Sequence, residues 1–299
     1  MRRSVTALLT LGLAVLLAGC SSHRPRPVHG AGSSPAGSSH QGVRDDTSRP
    51  QSSRYRDRND SIPDGPPPDL SKLPEPVPKV EPRALYGNKS PYTVRGQTYT
   101  VLPTARGYDE RGIASFYGNK FHGYKTSSLE DYDMYAFTAA SKTLPLPSYA
   151  RVTNLENGKS VIVRVNDRGP FHPDRVIDLS YVAAVKIGIW PKGTGLVDVR
   201  GIDPTQGAPE LPPLPVVTAG ARPGIYLQVG AYSDAGNAQR VATQLRRASF
   251  APVQVLEVTV NGQHVRRVRV GPLQDVARAD AVSAQIEDMG LPRPQVAVD

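Results

Sequence analysis

The sequence predicts two small folded domains, a mainly-β barrel and a smaller α+β unit, set between segments too polar to fold by themselves. Three observations carry that prediction. Between residues 83 and 201, short runs of alternating hydrophobicity follow one another with a single helical stretch among them, a pattern that favours a closed barrel. Between residues 224 and 299, strand and helix patterns come in the order βαββαβ, which gives a sheet with both helices on one face. Residues 20–82 are dominated by Ser, Arg, Pro, Gly and Asp and residues 202–223 hold six prolines, and such composition buries too little surface to offset the entropy of ordering.

The N-terminus reads as an export signal over residues 1–19. Arg2 and Arg3 form its charged start, Leu8 to Leu17 its apolar stretch, and Ala18-Gly19 the small residues before Cys20. The stretch is shorter than an ordinary membrane-spanning helix requires. Cys20 is the only cysteine, so no intramolecular disulfide forms. It is either an incidental residue after an ordinary signal peptide or the end of Leu17-Ala-Gly-Cys20, which resembles the bacterial lipobox. That resemblance implies an acylated Cys20 as the first mature residue, and Ser21 after it implies an outer-membrane anchor facing the periplasm. Residues 20–82 then form a disordered tether, whose second half is stiffened toward polyproline II by Pro63, Pro66, Pro67, Pro68, Pro74, Pro76 and Pro78.

In the first domain, Tyr99–Leu102, Gly112–Tyr117, Tyr135–Ala140, Tyr149–Asn154, Ser160–Val165 and Gly195–Arg200 read as strands. Asn157-Gly158 is a hairpin turn between two of them. A helix is expected over Ser180–Ile187 with Ser180 as its N-cap. Val161, Val163 and Val165 alternate with Ile162 and Arg164, and the run stops at Asn166-Asp-Arg-Gly-Pro170. Asp167 therefore sits where a rigid strand gives way to a loop. It either bonds the backbone of its own turn or presents a carboxylate to a ligand. Asp178, in the next apolar run, reads as a buried acid pairing with backbone or with Arg168.

After a Pro-rich linker over 202–223, the last domain reads as strands over Ile225–Tyr232, Val253–Val260, Val265–Val270 and Gln295–Val298. Ala238, Val241, Leu245 and Ala248 stripe a first helix after Ser233-Asp234. Ala279, Val282, Ile286 and Met289 stripe a second, capped near Asp275 and stopped by Gly290. Asn261-Gly262 joins the middle strands as a hairpin. Alternation places Tyr226, Gln228 and Tyr232 on one sheet face with Arg267 and Arg269. Aromatic and planar polar groups on an open face suit sugar rings, and arginine suits a carboxylate. An RNA-binding sheet has a similar layout, but an exported chain meets no nucleic acid.

Several stretches together resemble the rare lipoprotein A (RlpA) family over the whole 83–201 domain. They are Gly112–Gly118 (GIASFYG), Phe121–Thr126 (FHGYKT), Thr138-Ala-Ala, Lys142–Pro147 (KTLPLP), Val152–Leu155 (VTNL), Val163–Phe171 (VRVNDRGPF) and Ile177–Ser180 (IDLS). Tyr226–Tyr232 and Arg267–Pro272 are similar to the signatures of SPOR domains. The resemblance implies a six-stranded double-psi β-barrel followed by a SPOR domain. It also implies a septal lytic transglycosylase that cuts MurNAc–GlcNAc bonds in glycan strands stripped of stem peptides, leaving 1,6-anhydroMurNAc ends. By the same resemblance, Asp167 is the acid/base and Glu130 a second essential acid that orients substrate or raises the pKa of Asp167. Ser141 stands at a catalytic position where the family commonly has His. Tyr117 is a candidate to line the sugar groove or to pack in the core, and His122, Asn166 and Arg168, neighbours of the two acids, join it as substrate-binding candidates. Gln228, Tyr226, Tyr232, Arg267 and Arg269 are the candidate glycan-binding residues of the SPOR domain. Ser141 favours a second reading, a division lipoprotein whose barrel grips glycan without cutting it.

The net charge of +9 is diffuse. Residues 83–201 hold 16 basic against 10 acidic side chains, and residues 222–299 hold 9 against 7. This argues for weak attraction to polyanionic wall polymer or lipid rather than a nucleic-acid groove. The chemistry implied needs no cofactor and no metal. The partners expected are peptidoglycan strands, the membrane through Cys20, and proteins of the division machinery.

Overall fold

The computed structural model describes residues 45–206, 224–250, 252–260 and 262–298. The export signal, residues 20–44 of the tether with Cys20, and residues 207–223 of the 202–223 linker lie outside the described residues. A single turn, α1 (Gln51–Arg54), and a 3₁₀ turn over Leu70–Lys72 precede a short hairpin of β1 (Tyr92–Val94) and β2 (Gln97–Tyr99). Six strands then close a barrel: β3 (Asp109–Tyr117), β4 (Thr138–Ala140), β5 (Ser148–Asn154), β6 (Ser160–Asp167), β7 (Arg175–Ser180) and β8 (Thr194–Ile202). Their order around the barrel is β3-β7-β4-β6-β5-β8, with β3–β7 and β4–β6 parallel and the remaining pairs antiparallel. Closure leaves no unpaired edge, so strands of three to nine residues suffice. Val161, Val163 and Val165 point inward, essentially inaccessible, while Ile162 and Arg164 face outward. Helix α2 (Tyr181–Lys186) starts at Ser180, whose hydroxyl caps the Ala183 N–H.

One strand expectation is corrected. Tyr99–Leu102 does not enter the barrel; its start pairs locally with Tyr92–Val94, and the sixth barrel strand is β7. A short alternating run carries no information about which partner it finds, and the tyrosines of the local hairpin meet each other at 5.4 Å between ring centroids.

The segment from 45 to 82 also differs from the expected disordered tether. Ile62, Leu70 and Leu73 pack against the barrel core. Glu75 accepts the Ile162 N–H at 2.8 Å and pairs with Lys186, and Glu81 binds Arg164 and the Tyr149 hydroxyl. Local composition measures what a segment can bury against itself; this one uses partners supplied by the barrel.

The C-terminal domain holds β9 (Ile225–Tyr232), α3 (Ala235–Arg247), β10 (Val253–Val260), β11 (Gln263–Leu273), α4 (Val276–Asp288) and β12 (Gln295–Val298). The sheet order is β10-β11-β9-β12, antiparallel throughout. Asp234 and Asp275 cap the two helices through the N–H groups of Asn237 and Arg278. Ala238, Ala242 and Leu245 of α3 and Ala279, Val282 and Ile286 of α4 bury against Leu227, Val268 and Val270.

Candidate active site

Strand β6 ends at Asp167, and the chain turns at Gly169, whose φ of 143° favours glycine. Around the barrel wall the register sets Ser115 of β3 opposite Asp178 of β7, Asp178 opposite Ala140 of β4, and Ala140 opposite Asp167 of β6. Two carboxylates thus flank one small residue, with backbones two strand spacings, about 10 Å, apart. Both line a groove of about 1030 Å³.

Asp167 is half-buried, and three donors converge on its Oδ1: the Ser127 N–H at 2.7 Å, the Ser127 hydroxyl at 2.6 Å and the Arg168 N–H at 2.7 Å. Oδ2 accepts no hydrogen bond among the described residues and is left to the groove. Burial pushes this carboxyl above its ordinary value, and the Ser127 and Arg168 donors offset only part of the rise. Asp167 thus bonds its own turn through the Arg168 N–H and the distant Ser127 through two further donors, and it is among the residues that line the groove. Asp178 pairs not with Arg168 but with the Ser115 hydroxyl. Its carboxyl is likewise pushed up by burial, with the nearby Asp167 charge adding to the rise.

The Arg168 side chain turns away from both acids and ties loops together. It donates to the carbonyls of Gly87 (2.7 Å), Ser141 (3.0 Å) and Leu144 (2.5 Å) and to Asn88 Oδ1 (3.2 Å). Burial lowers its pKa to about 10.

Glu130 does not line this groove. It accepts two hydrogen bonds from the Arg164 guanidinium, at 2.6 and 3.0 Å, and one from Asn166 Nδ2 at 2.9 Å. Burial pulls its carboxyl up, but Arg164 and Asn166 outweigh that and hold it below the ordinary range. Asn166 gives its Nδ2 to this contact, and its buried Oδ1 accepts no hydrogen bond among the described residues. Ser141 is buried, and its hydroxyl accepts the N–H groups of Thr143 and Leu144 at 3.3 and 3.2 Å, closing its own turn. His122 accepts the Met134 N–H through Nδ1 at 3.2 Å and braces the loop outside the groove. Tyr117 is buried and stacked on Tyr132 at 4.1 Å, and it is among the residues that line the groove.

Three groove elements escaped the sequence reading. Ser127 directly follows the Phe121–Thr126 stretch, but its role depends on a 40-residue contact with Asp167. Asp178 becomes a groove acid only when β7 closes beside β4. The Arg54–Asp60 segment reaches the groove from the polar region upstream. Among the described residues, His172, Asp174 and Asp280 bring possible metal-donor atoms within 4.8 Å of one another, though Asp174 Oδ2 is already bonded by Arg293 at 2.9 Å.

In the C-terminal domain, the register sets Gln228 opposite Arg269, Gly230 opposite Val268, Ala231 opposite Arg267 and Tyr232 opposite Arg266, so Val229 is an extra residue in β9. This bulge corrects the expectation for Tyr232. Past it the alternation inverts, Tyr232 packs toward the helix side with its ring over Gly230, and Ala231 takes its place on the open face. By register Tyr226, Gln228, Arg267 and Arg269 share that face, with Arg269 buried in it.

Barrel and C-terminal sheet each match a family model: lytic transglycolase over residues 109–200 and SPOR domain over residues 221–296. The class is therefore a lytic-transglycosylase barrel joined to a SPOR domain. The chain is 40% identical to the endolytic peptidoglycan transglycosylase RlpA of Pseudomonas aeruginosa, covering 96% of this chain and 95% of that one. It is also 40% identical to the protein of the same name from Neisseria meningitidis serogroup B, covering 71% and 85%. The crystal structure of the RlpA SPOR domain from Pseudomonas aeruginosa is 31% identical, covering 25% of this chain and 97% of that one, with a TM-score of 0.24. The chain belongs to the RlpA family of endolytic peptidoglycan transglycosylases.

Proposed function

We propose that the barrel cleaves MurNAc–GlcNAc bonds within peptidoglycan strands by transglycosylation, with Asp167 as the single acid and base. The observation that carries this is the division of labour on Asp167: three donors fix Oδ1, and Oδ2 stands in a groove that favours its protonated form. Oδ2–H gives its proton to the glycosidic oxygen as the bond to MurNAc C1 breaks, while an oxocarbenium-like centre develops. The 6-hydroxyl of the same MurNAc then closes on C1 and returns its proton to the Asp167 carboxylate. No water is consumed, and the enzyme regains its starting state.

The preferred substrate in this reading is a strand without stem peptides, whose lactyl groups end in free carboxylates. The groove supports it, since nine basic side chains line it against four acidic ones among the described residues. The open face with Gln228, Tyr226, Arg267 and Arg269 supplies a second glycan site that gathers the enzyme at the division septum. Cys20 would tether it by acylation to the outer membrane, among the proteins of the division machinery. Glu130, Ser141, His122, Asn166 and Arg168 act by holding the loops around Asp167.

Incubating the full chain with peptide-free sacculi should release products ending in anhydroMurNAc, read by mass spectrometry. Asp167→Asn, which keeps the Oδ1 acceptor, should lower the rate by at least about 10²-fold with the fold intact. Undiminished product formation would overturn this mechanism.

A further inference from the structure

The polar segment upstream of the barrel has a fixed seat beside Asp167. Asp60 accepts the Gly118 N–H at 2.8 Å through Oδ2 and the Lys120 N–H at 3.1 Å through Oδ1, and the Ser61 carbonyl accepts the Asn119 N–H at 2.9 Å. Gly118 is required for this approach, because a Cβ there would stand 2.2 Å from the Ser61 carbonyl oxygen. Tyr55 sets its ring edge-on against Phe121 and Tyr124, at 4.9 and 5.0 Å between centroids, and the Tyr124 hydroxyl accepts the Arg56 N–H at 2.9 Å. Arg54 is held by Asp45 and by the Lys125 carbonyl at 2.8 Å. Lys120 Nζ ties down the Arg58 carbonyl at 2.9 Å.

Six of the groove's side chains come from this segment, Arg54 to Arg58 and Asp60. It lines the groove without filling it: none of the hydrogen bonds to Asp167 comes from it, and about 1030 Å³ stays open. Arg56 and Arg58 are exposed at the rim. Exposed guanidiniums on a fixed backbone suit carboxylates spaced along a polymer.

We infer that Arg54–Ser61 is one wall of the substrate groove and that Arg56 and Arg58 bind the carboxylates of the strand being cut. This rests on the reading that the groove takes a glycan strand. The residues called a spacer by composition are then positioning residues for the reaction.

The test uses the full chain carrying Arg56→Glu and Arg58→Glu with soluble peptide-free strands. The KM should rise about tenfold while kcat stays within about twofold, the split expected for lost binding. The wild-type KM should climb with salt between about 0.05 and 0.3 M and that of the variant should not, since surface charge is screened over this range. Gly118→Ala, which unseats the segment without touching a charge, should reproduce the KM change. An unchanged KM in the charge-reversed chain would make the segment a spacer, and a raised kcat/KM would make it a cover; either overturns the inference. If the wild-type chain cuts nothing, the catalytic reading fails separately. Binding of fluorescent strands, compared with and without the reversals in an Asp167→Asn, Gln228→Ala background, then still decides: weaker binding supports the wall, and equal binding overturns it.

Discussion

Asp167 and Asp178 are carboxyls whose ionisation the fold resists, and that has opposite consequences for stability and for activity. Their folded pKa values lie above the ordinary range, with burial the leading cause in each. Below the unfolded pKa, near 4, both states are protonated and nothing is lost. As pH rises, the unfolded chain ionises first, so folding loses stability until pH passes the raised folded values. Asp178→Asn, which keeps an acceptor for Ser115, should therefore melt higher than wild type at neutral pH, and the gain should vanish near pH 3 to 4 by about the span of the unfolded titration. Calorimetry across pH checks this; a gain that persists in acid would show that burial of charge is not its source. In the proposed mechanism activity runs the other way: proton donation needs Asp167–H, so kcat should fall as pH rises through its pKa. Asp167 is legible in the sequence because Asn, Gly and Pro mark the strand end beside it. Asp178 and Ser127 are not, because their neighbours are chosen only when β3, β7, β4 and β6 close side by side.

Strand β6 serves two purposes through its two faces, an inward valine row for the core and outward Arg164 for the loops. Arg164 holds Glu81 from the upstream segment at 2.9 and 3.0 Å and Glu130 from the loop that carries Ser127. Both acids and the guanidinium are about one-fifth to two-fifths exposed, so the cluster lies between a solvated and a buried ion pair. Arg164→Met should destabilise by about 1–3 kcal/mol, because it leaves two carboxylates facing each other partly out of water. Glu130→Gln tests whether this acid takes part in proton transfer or positions the loop. Its charge is answered by Arg164, so the substitution should lower kcat by about tenfold through loop placement while the pH limbs stay put. A displaced limb would return Glu130 to the proton-transfer step. Elements follow the same rule of legibility as residues. The valine alternation of β6, the Asn157-Gly158 hairpin and the capped helices are written locally. The seat of the 45–82 segment and the Val229 bulge depend on distant strands, and the bulge inverts which face receives Tyr232; the partner of Tyr99 is local, but a short alternating run does not say which strand it joins.

In the proposed reading the molecule joins a cutting groove to a second, glycan-binding face on the SPOR sheet, and the two differ in what they need from the substrate. In that reading the groove needs one bond and the carboxylates around it, whereas Gln228 and Arg267 need only a stretch of bare strand. On a sacculus, where many strands lie side by side, engagement of the sheet face converts capture by the groove into a local event at an effective concentration in the millimolar range. On a soluble strand too short to reach both sites, that gain is absent. The double substitution Gln228→Ala, Arg267→Ala should therefore lower the initial rate on peptide-free sacculi by about tenfold or more at limiting enzyme. On short soluble strands the rate should be unchanged, since none of these residues lines the groove. Parallel assays of released anhydro ends on the two substrates make the comparison. Equal losses on both would mean that the substitutions damage the barrel indirectly, and no loss on sacculi would remove the open face from recognition. Only a loss confined to the insoluble wall fits a chain whose C-terminal sheet chooses the place and whose barrel does the chemistry.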